Sequence, residues 1–363
     1  MTQVTSGPSS SFLISQRLRL HVLDWGNAHL PPLILLHGGM DHGRSWDQMA
    51  MRLRDRWHVI VPELRGHGDS DWANDGDYTL AAYVYDFAQL IHQKGLAPVT
   101  IVAHSLGGNI AIRYAALWPD NVKRLVAIEG LGPSPKIIAE REAKSPAERM
   151  REWIERKRAL SARQPRRYPT LEEAAARMHE KNKHLSPELA DHLTVTGINQ
   201  NEDGTYSWKF DNYVRAWPPN DMAQAELETL WQAITCPTLL VYGNESWASN
   251  PEEDGRARHF KTARVVDFDD AGHWVHHDRF EDFLKLTEDF ISELGAWVAG
   301  WPVLDHGTQT KRAIPEAPPV SVRNNCPRRL FRRFRRVAHG EVRHFAQQRL
   351  AQEVGARTQP VQG

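Results

Sequence analysis

Cysteine is close to absent. Cys236 and Cys326 are the only two in 363 residues. A distant pair does not make a disulfide framework, so a reducing cytoplasm is the expected compartment. Long apolar runs are missing too. No stretch approaches the roughly 18 residues needed to span a bilayer, and Met1 to Ser11 lacks the basic-then-apolar layout of a secretory signal. Net charge is absent in sum, with 45 Lys and Arg against 45 Asp and Glu. The distribution is uneven, however: residues 296–363 carry 12 basic against 4 acidic side chains, and the chain before them is mildly acidic. No internal repeat is apparent, which sets solenoids aside. What remains is an ordinary globular composition, long enough to bury a sizeable core in one or two domains.

The stretch that organises the chain is Val102-Ala103-His104-Ser105-Leu106-Gly107-Gly108. An apolar run from Pro98 to Ala103 enters it, and a helical pattern from Gly107 to about Trp118 leaves it. A serine at a sharp strand-to-helix turn has a strained backbone, with strand and helix packed close on either side. Only small residues fit two before and two after it. Ala103 and Gly107 meet that need, so Ser105 is the candidate nucleophile.

Upstream, residues 1–10 read as a disordered leader and Leu18 to Trp25 as an alternating strand. Leu33-Ile34-Leu35-Leu36 is a continuous apolar run, the pattern of a strand buried on both faces. It ends in His37-Gly38-Gly39-Met40, a glycine-rich loop whose free N–H groups suit an oxyanion. The Gly39 N–H is the expected first donor, with Met40 next, and the Leu106 N–H the second. Trp46 to Leu53 looks helical, and His58 to Val61 is a short strand. Arg65-Gly66-His67-Gly68 follows and reads as a turn braced by Arg65. Tyr78 to Gly95 places apolar residues at helical spacing. This alternation predicts an α/β fold with a mostly parallel central sheet flanked by helices.

The three motifs, His37-Gly38-Gly39, Arg65-Gly66-His67-Gly68 and Ala103-His104-Ser105-Leu106-Gly107-Gly108, occur in an order and spacing that resembles the α/β-hydrolase superfamily. The resemblance covers residues 15–133 and 235–295. It implies an α/β-hydrolase core over 1–133 and 235–295, and a Ser, acid, His triad in that chain order. The base expected from it is His273, in Gly272-His273-Trp274 after the strand Val265 to Phe268. His276 and His277 are nearby rivals, expected to pack or face solvent. Their spacing matches no metal-binding pattern, and neither a metal nor an organic cofactor is expected.

The acid is open. Many relatives carry an Asp three residues beyond the glycine that here is Gly243. That position is Ser246, which has no charge to offer an imidazolium. Glu129, at the end of the apolar run Leu125 to Ile128, is the favoured acid, as in some relatives. Glu245 is the alternative, and Asp254 stands behind it.

From 134 to 234 the sheet pattern stops and charged, helical spacing takes over. Inserts here in relatives form a helical cap that shapes the acyl pocket. Met40, His104, Trp208 and Trp274 are candidate pocket residues, with Tyr213 and Trp217 as further aromatics. Residues 296–363 form a basic extension, read as disordered. Its Arg328 to Val337 segment puts Leu330, Phe331, Phe334 and Val337 on one helical face, a pattern compatible with nucleic acid or anionic membrane. The expected activity is a serine hydrolase acting on a small-molecule carboxylic ester or related acyl compound. A carbon–carbon bond hydrolase of ring-fission-type diketo acids with the same triad, or a non-catalytic binding protein on the same fold, are the alternatives.

Overall fold

The computed structural model describes residues 7–161 and 163–292. The basic extension expected over 296–363 lies outside them. The described residues belong to one compact unit.

The chain opens with β1 (Ser9–Ser15) and β2 (Leu18–Asp24), an antiparallel pair. β1 starts inside the segment read as a leader. Its Ser-rich first half hides the strand, and only Leu13 and Ser15 are buried. Then come β3 (Pro32–Leu36), helix α1 (Asp47–Leu53), β4 (His58–Pro62) and α2 (Leu80–Lys94). The Thr79 hydroxyl caps α2 by accepting from the Ala82 N–H at 3.2 Å, and Gly95 closes it in a left-handed conformation. Such N-caps stabilise a helix by about 1 kcal/mol. The motif region follows as β5 (Val99–His104), α3 (Leu106–Leu117) and β6 (Val122–Ile128).

The segment expected to form a cap holds α4 (Pro135–Glu142), α5 (Pro146–Ser161), α6 (Leu171–Lys181), α7 (Pro187–Gly197), a hairpin of β7 (Ile198–Gln200) and β8 (Tyr206–Trp208), and α8 (Gln224–Ala233). The chain returns to the core through β9 (Thr238–Gly243), β10 (Ala263–Phe268), the short α9 (Val275–Asp278) and α10 (Phe280–Ser292).

The main sheet has eight strands in the order β1-β2-β4-β3-β5-β6-β9-β10. All neighbours from β4 to β10 run parallel, and β2 meets β4 antiparallel. Alternate residues of the central strands feed opposite faces, as a pleated strand requires. Ile34, Ile101 and Ala103 pack with α2 and α3 on one face. Leu33, Leu35 and Val102 pack with α1 and α10 on the other. Because both faces are covered, the central strands read as unbroken apolar runs and not as alternations. The carboxyl ends of β3, β5, β6 and β9 therefore emerge together, and their loops share one edge of the sheet.

Candidate active site

Ser105 sits where β5 gives way to α3, with φ 50° and ψ −114°. A non-glycine residue held there is strained, and the surroundings over-determine it. The Ser105 N–H donates to the Ile128 carbonyl at 2.7 Å. A Cβ added at Gly107 would lie 2.5 Å from the His37 carbonyl oxygen, and one at Gly108 2.7 Å from the Gly130 Cα. The small residues of the motif are thus required by backbone on both sides.

His273 meets this serine from the loop after β10. Its Nε2 lies 3.0 Å from Ser105 Oγ, and its Nδ1 donates to Glu129 Oε2. With Nδ1 carrying the proton, Nε2 presents a lone pair to the serine hydroxyl. Glu129 sits one residue past β6 at φ 49°, with a buried side chain. Its carboxylate is fully engaged. Oε1 accepts from the Gly243 N–H at 3.0 Å, and Oε2 also accepts from Ser246 Oγ at 2.6 Å. Ser246 Oγ in turn accepts from the Ala248 N–H at 3.1 Å, which directs its own proton toward Glu129.

The other candidate acids are elsewhere. Glu245 is exposed and faces His184 at 3.5 Å. Asp254 is held by Arg256 at 2.8 Å. Arg256 also donates to the carbonyl of Pro133 at 3.2 Å and to that of Ser249 at 3.0 Å, so it ties the chain after Glu129 to the loop after β9. Ser246, set aside in the sequence for want of charge, thus contributes a hydrogen bond to the carboxylate that reaches His273. The offset of three from Gly243 was the available signal for its placement. The indole of Trp247 covers the His273 ring at 4.7 Å between centroids, a contact that no sequence pattern announced.

The glycine-rich loop after β3 lies beside the serine: a Cβ at Gly38 would be 3.2 Å from Ser105 Cβ, and one at Gly39 3.8 Å from Leu106 Cδ2. Leu106 is the first residue of α3, so its N–H has no partner within the helix. His37 fixes the loop from below. Its Nδ1 donates to the Gly38 carbonyl at 2.7 Å and its Nε2 accepts from the Leu64 N–H at 3.0 Å. That pattern needs a neutral ring, and burial pushes its pKa down to about 3. Arg65 braces the next loop with a bidentate pair to Asp86, at 2.6 and 2.8 Å. His67 is fully buried there and bonds the Arg65 carbonyl at 2.9 Å, far from any role as a base.

His104 does not line the pocket as expected. Its ring is buried under Gly38 and donates from Nε2 to the His273 carbonyl at 2.9 Å. It points inward because alternate residues of β5 face opposite ways, and its turn falls on the covered side. His276 is likewise buried, stacked on Trp46 at 4.5 Å, while His277 packs against it at 4.1 Å. Burial holds both rings below their ordinary pKa. Of the expected pocket residues, Met40, Trp208 and Trp274 line the cleft over Ser105, as does Trp217. Tyr213 instead stacks under Lys157, 5.2 Å from its ring centroid.

That cleft has a volume of about 1910 Å³ between the strand-end loops and the cap. Ligand pockets commonly run to about 300–1,000 Å³, so it accommodates a long substrate. One group of described residues has the composition of a cation site: His21, Glu63 and Asp69. The lone pairs are already committed, however. Glu63 accepts from the Gly43 N–H at 2.8 Å and from His21 Nδ1 at 2.9 Å, and Asp69 pairs with Lys209 at 2.8 Å. This cluster is a brace between loops.

A serine, a histidine and a carboxylate joined in series at the carboxyl edge of a mostly parallel sheet form the arrangement of a serine-type hydrolase. The alpha/beta hydrolase fold family matches residues 31–280, and the chain belongs to that family, as a hydrolase of its esterase- and lipase-like kind. It is 27% identical over 295 residues to the sn-1-specific diacylglycerol lipase ABHD11 of Mus musculus, covering 79% of this chain and 89% of that one. It is 27% identical over 302 residues to an esterase of Mycobacterium tuberculosis, covering 79% and 91%. Among solved structures it superposes on a thioesterase domain from the curacin biosynthetic pathway with a TM-score of 0.66 at 23% identity, covering 77% of this chain and 98% of that one. It also superposes on E-2-(acetamidomethylene)succinate hydrolase with a TM-score of 0.63 at 23% identity, covering 79% and 100%. These two likenesses concern the fold. No helix among the described residues is long and apolar enough to cross a membrane.

Proposed function

We propose that the protein hydrolyses a carboxylic ester or related acyl compound through an acyl-enzyme formed on Ser105. The observation that carries this reading is the series Ser105 Oγ, His273 Nε2 at 3.0 Å, and His273 Nδ1 to the buried Glu129 carboxylate. His273 Nε2 takes the hydroxyl proton as Ser105 Oγ attacks the acyl carbon. The positive ring that results faces Glu129, whose charge is held in place by Gly243 and Ser246. The oxyanion accepts from the N–H groups of Gly39 and Leu106. One such donor supplies about 2.7–4 kcal/mol of transition-state stabilisation. His273 then returns the proton to the leaving group, and the acyl group remains on Ser105. A water, deprotonated by the same nitrogen, attacks the acyl carbon, releases the acid and restores the serine.

The curated relatives support an ester as the bond cleaved, and the diacylglycerol lipase suggests a long acyl chain. The size of the cleft fits that suggestion. The test is labelling by a fluorophosphonate probe, with wild type and Ser105→Ala run side by side, followed by turnover of p-nitrophenyl butyrate. The expected result is labelling of wild type alone and turnover that vanishes in the variant. Folded wild type that neither labels nor turns over would overturn the proposal and favour a binding protein on this fold. Turnover of a vinylogous diketo acid without ester turnover would assign the same triad to carbon–carbon cleavage.

A further inference from the structure

The charge of the cleft is lopsided. Nine Lys and Arg residues line it, against the four carboxylates Glu129, Asp221, Glu245 and Asp278. Each of those carboxylates is already engaged. Glu129 holds His273, Asp221 pairs with Arg113 at 2.6 Å, Glu245 faces His184, and Asp278 accepts from the Gly272 N–H at 2.9 Å. The cations are not matched in the same way. Arg141 on α4, Arg156 on α5 and Arg163 just beyond it line the cleft, and none has an ion-pair or hydrogen-bond partner for its guanidinium among the described residues.

Their placement is orderly. Arg156 and Leu160 are four apart, so one face of α5 turns toward the cleft, and Arg163 lines it beyond the helix. Ile137, Ile138 and Arg141 do the same from α4. The same cleft is lined by the apolar Leu80, Val84, Leu106 and Leu131. A cleft lined by Ser105, by apolar side chains and by unpaired guanidiniums matches an amphiphile. Guanidinium is the donor of choice for carboxylates and phosphates because its fork engages two oxygens at once.

We propose that the substrate is an acyl compound bearing an anionic group at a distance from the scissile carbonyl, held by the cap arginines Arg141, Arg156 and Arg163. This specifies the substrate of the acyl-hydrolase reading and rests on it. The anion belongs either to the far end of the acyl chain or to the leaving group. Two pairs of substrates separate these sources. The first is the mono-p-nitrophenyl ester of octanedioate against p-nitrophenyl octanoate. The second is octanoyl-coenzyme A against octanoyl-N-acetylcysteamine.

In one of the two pairs, kcat/KM for the anionic member is expected to exceed that of the neutral member at least tenfold. The ratio should fall toward one in the Arg141→Gln, Arg156→Gln double variant and at 0.5 M NaCl. A binding arm does not depend on turnover. On Ser105→Ala protein, dodecyl phosphate below its micelle concentration should bind at least tenfold tighter than dodecanol, and the double variant should erase the difference. If no ester or thioester is hydrolysed but this binding preference holds, the hydrolase reading fails and the anionic-amphiphile site stands. Ratios near one in both pairs, together with equal binding of the two dodecyl ligands, overturn the proposal. So does a preference that survives the double variant unchanged.

Discussion

Replacing Glu129 by glutamine is nearly isosteric, yet every orientation of the amide fails. The carboxylate accepts from the Gly243 N–H on one oxygen and from His273 Nδ1 and the Ser246 hydroxyl on the other. Turning the amide nitrogen toward His273 sets donor against donor and drives the ring to the other tautomer. Nε2 then carries the proton and no longer accepts from Ser105. Turning it toward Gly243 sets donor against donor there and leaves the imidazolium without a buried counter-charge. In the serine-protease template the equivalent loss lowers kcat by about 10⁴, which is about 5 kcal/mol at 1.36 kcal/mol per decade. We expect a loss of that order in kcat/KM for p-nitrophenyl butyrate in Glu129→Gln, with a matching fall in the rate of fluorophosphonate labelling. Glu245→Gln, at an exposed residue facing His184, should change either by less than about threefold. Ser246→Asp in the Glu129→Gln background sets a carboxylate where a hydroxyl already touches the same oxygen as His273, and should recover about a hundredfold. The reasoning is refuted if Glu129→Gln stays within tenfold of wild type, or if Glu245→Gln loses as much.

Burial holds the rings of His37, His42, His67 and His277 neutral, with pKa values pushed down to about 3, 4, 4 and 3. Unfolding releases them to titrate near 6.5, so their contribution is fully present above about pH 6.5 and is lost as pH falls toward 4. At pH 5 each ring gives up about 2 kcal/mol. Urea midpoints measured at pH 7 and pH 5 should therefore drop steeply, and a flat profile would contradict it. Asp41 acts with the opposite sign. Burial raises its pKa to about 7, and one carboxylate oxygen has no partner. Its charge costs most above pH 7, so Asp41→Asn should stabilise by about 4 kcal/mol at pH 8 and by less than about 2 kcal/mol at pH 5. An equal gain at both values would remove Asp41 ionisation as the cause. Gly107→Ala forces a methyl group against the carbonyls of His37 and Leu36, at 2.5 and 2.7 Å. Since backbone must give way, a loss of about 1–3 kcal/mol is expected by chemical denaturation. A variant as stable as wild type would mean that the loop after β3 yields freely.

Local steric demands are what made the centre of the molecule readable. Ser105 announces itself because a strained turn tolerates few neighbours, and those neighbours are written beside it in the chain. The central strands are readable because burial on both faces leaves unbroken apolar runs. β1 was hidden because an edge strand with mostly exposed residues carries no such constraint. The carboxylate facing His273 was open because nothing local requires it. Two strands, β6 and β9, are each followed by an acidic residue at the same edge of the sheet, and only the path of the chain after Gly243 decides which reaches the imidazole. That path turns Glu245 outward and leaves the Ser246 hydroxyl against Glu129. His104 was misjudged for a related reason. Its neighbour in sequence faces the cleft, and one step along a pleated strand reverses direction. The roof of the cleft could be assigned to a cap by composition, but which arginines look inward depends on how each helix is rotated.

Ser105 and Glu129 hang from adjacent strands that are bonded through the Ser105 N–H and the Ile128 carbonyl, with Gly108 and Gly130 almost in backbone contact. Backbone therefore fixes the spacing of the two, and His273 joins them from a separate loop. Withdrawing that ring removes the hydrogen bond to the serine and the one to the carboxylate together. One imidazole thus closes the series, like a latch with one bolt. The chain between β9 and β10 is correspondingly released from carrying the acid, and keeps a supporting part through Ser246, Trp247 and Arg256.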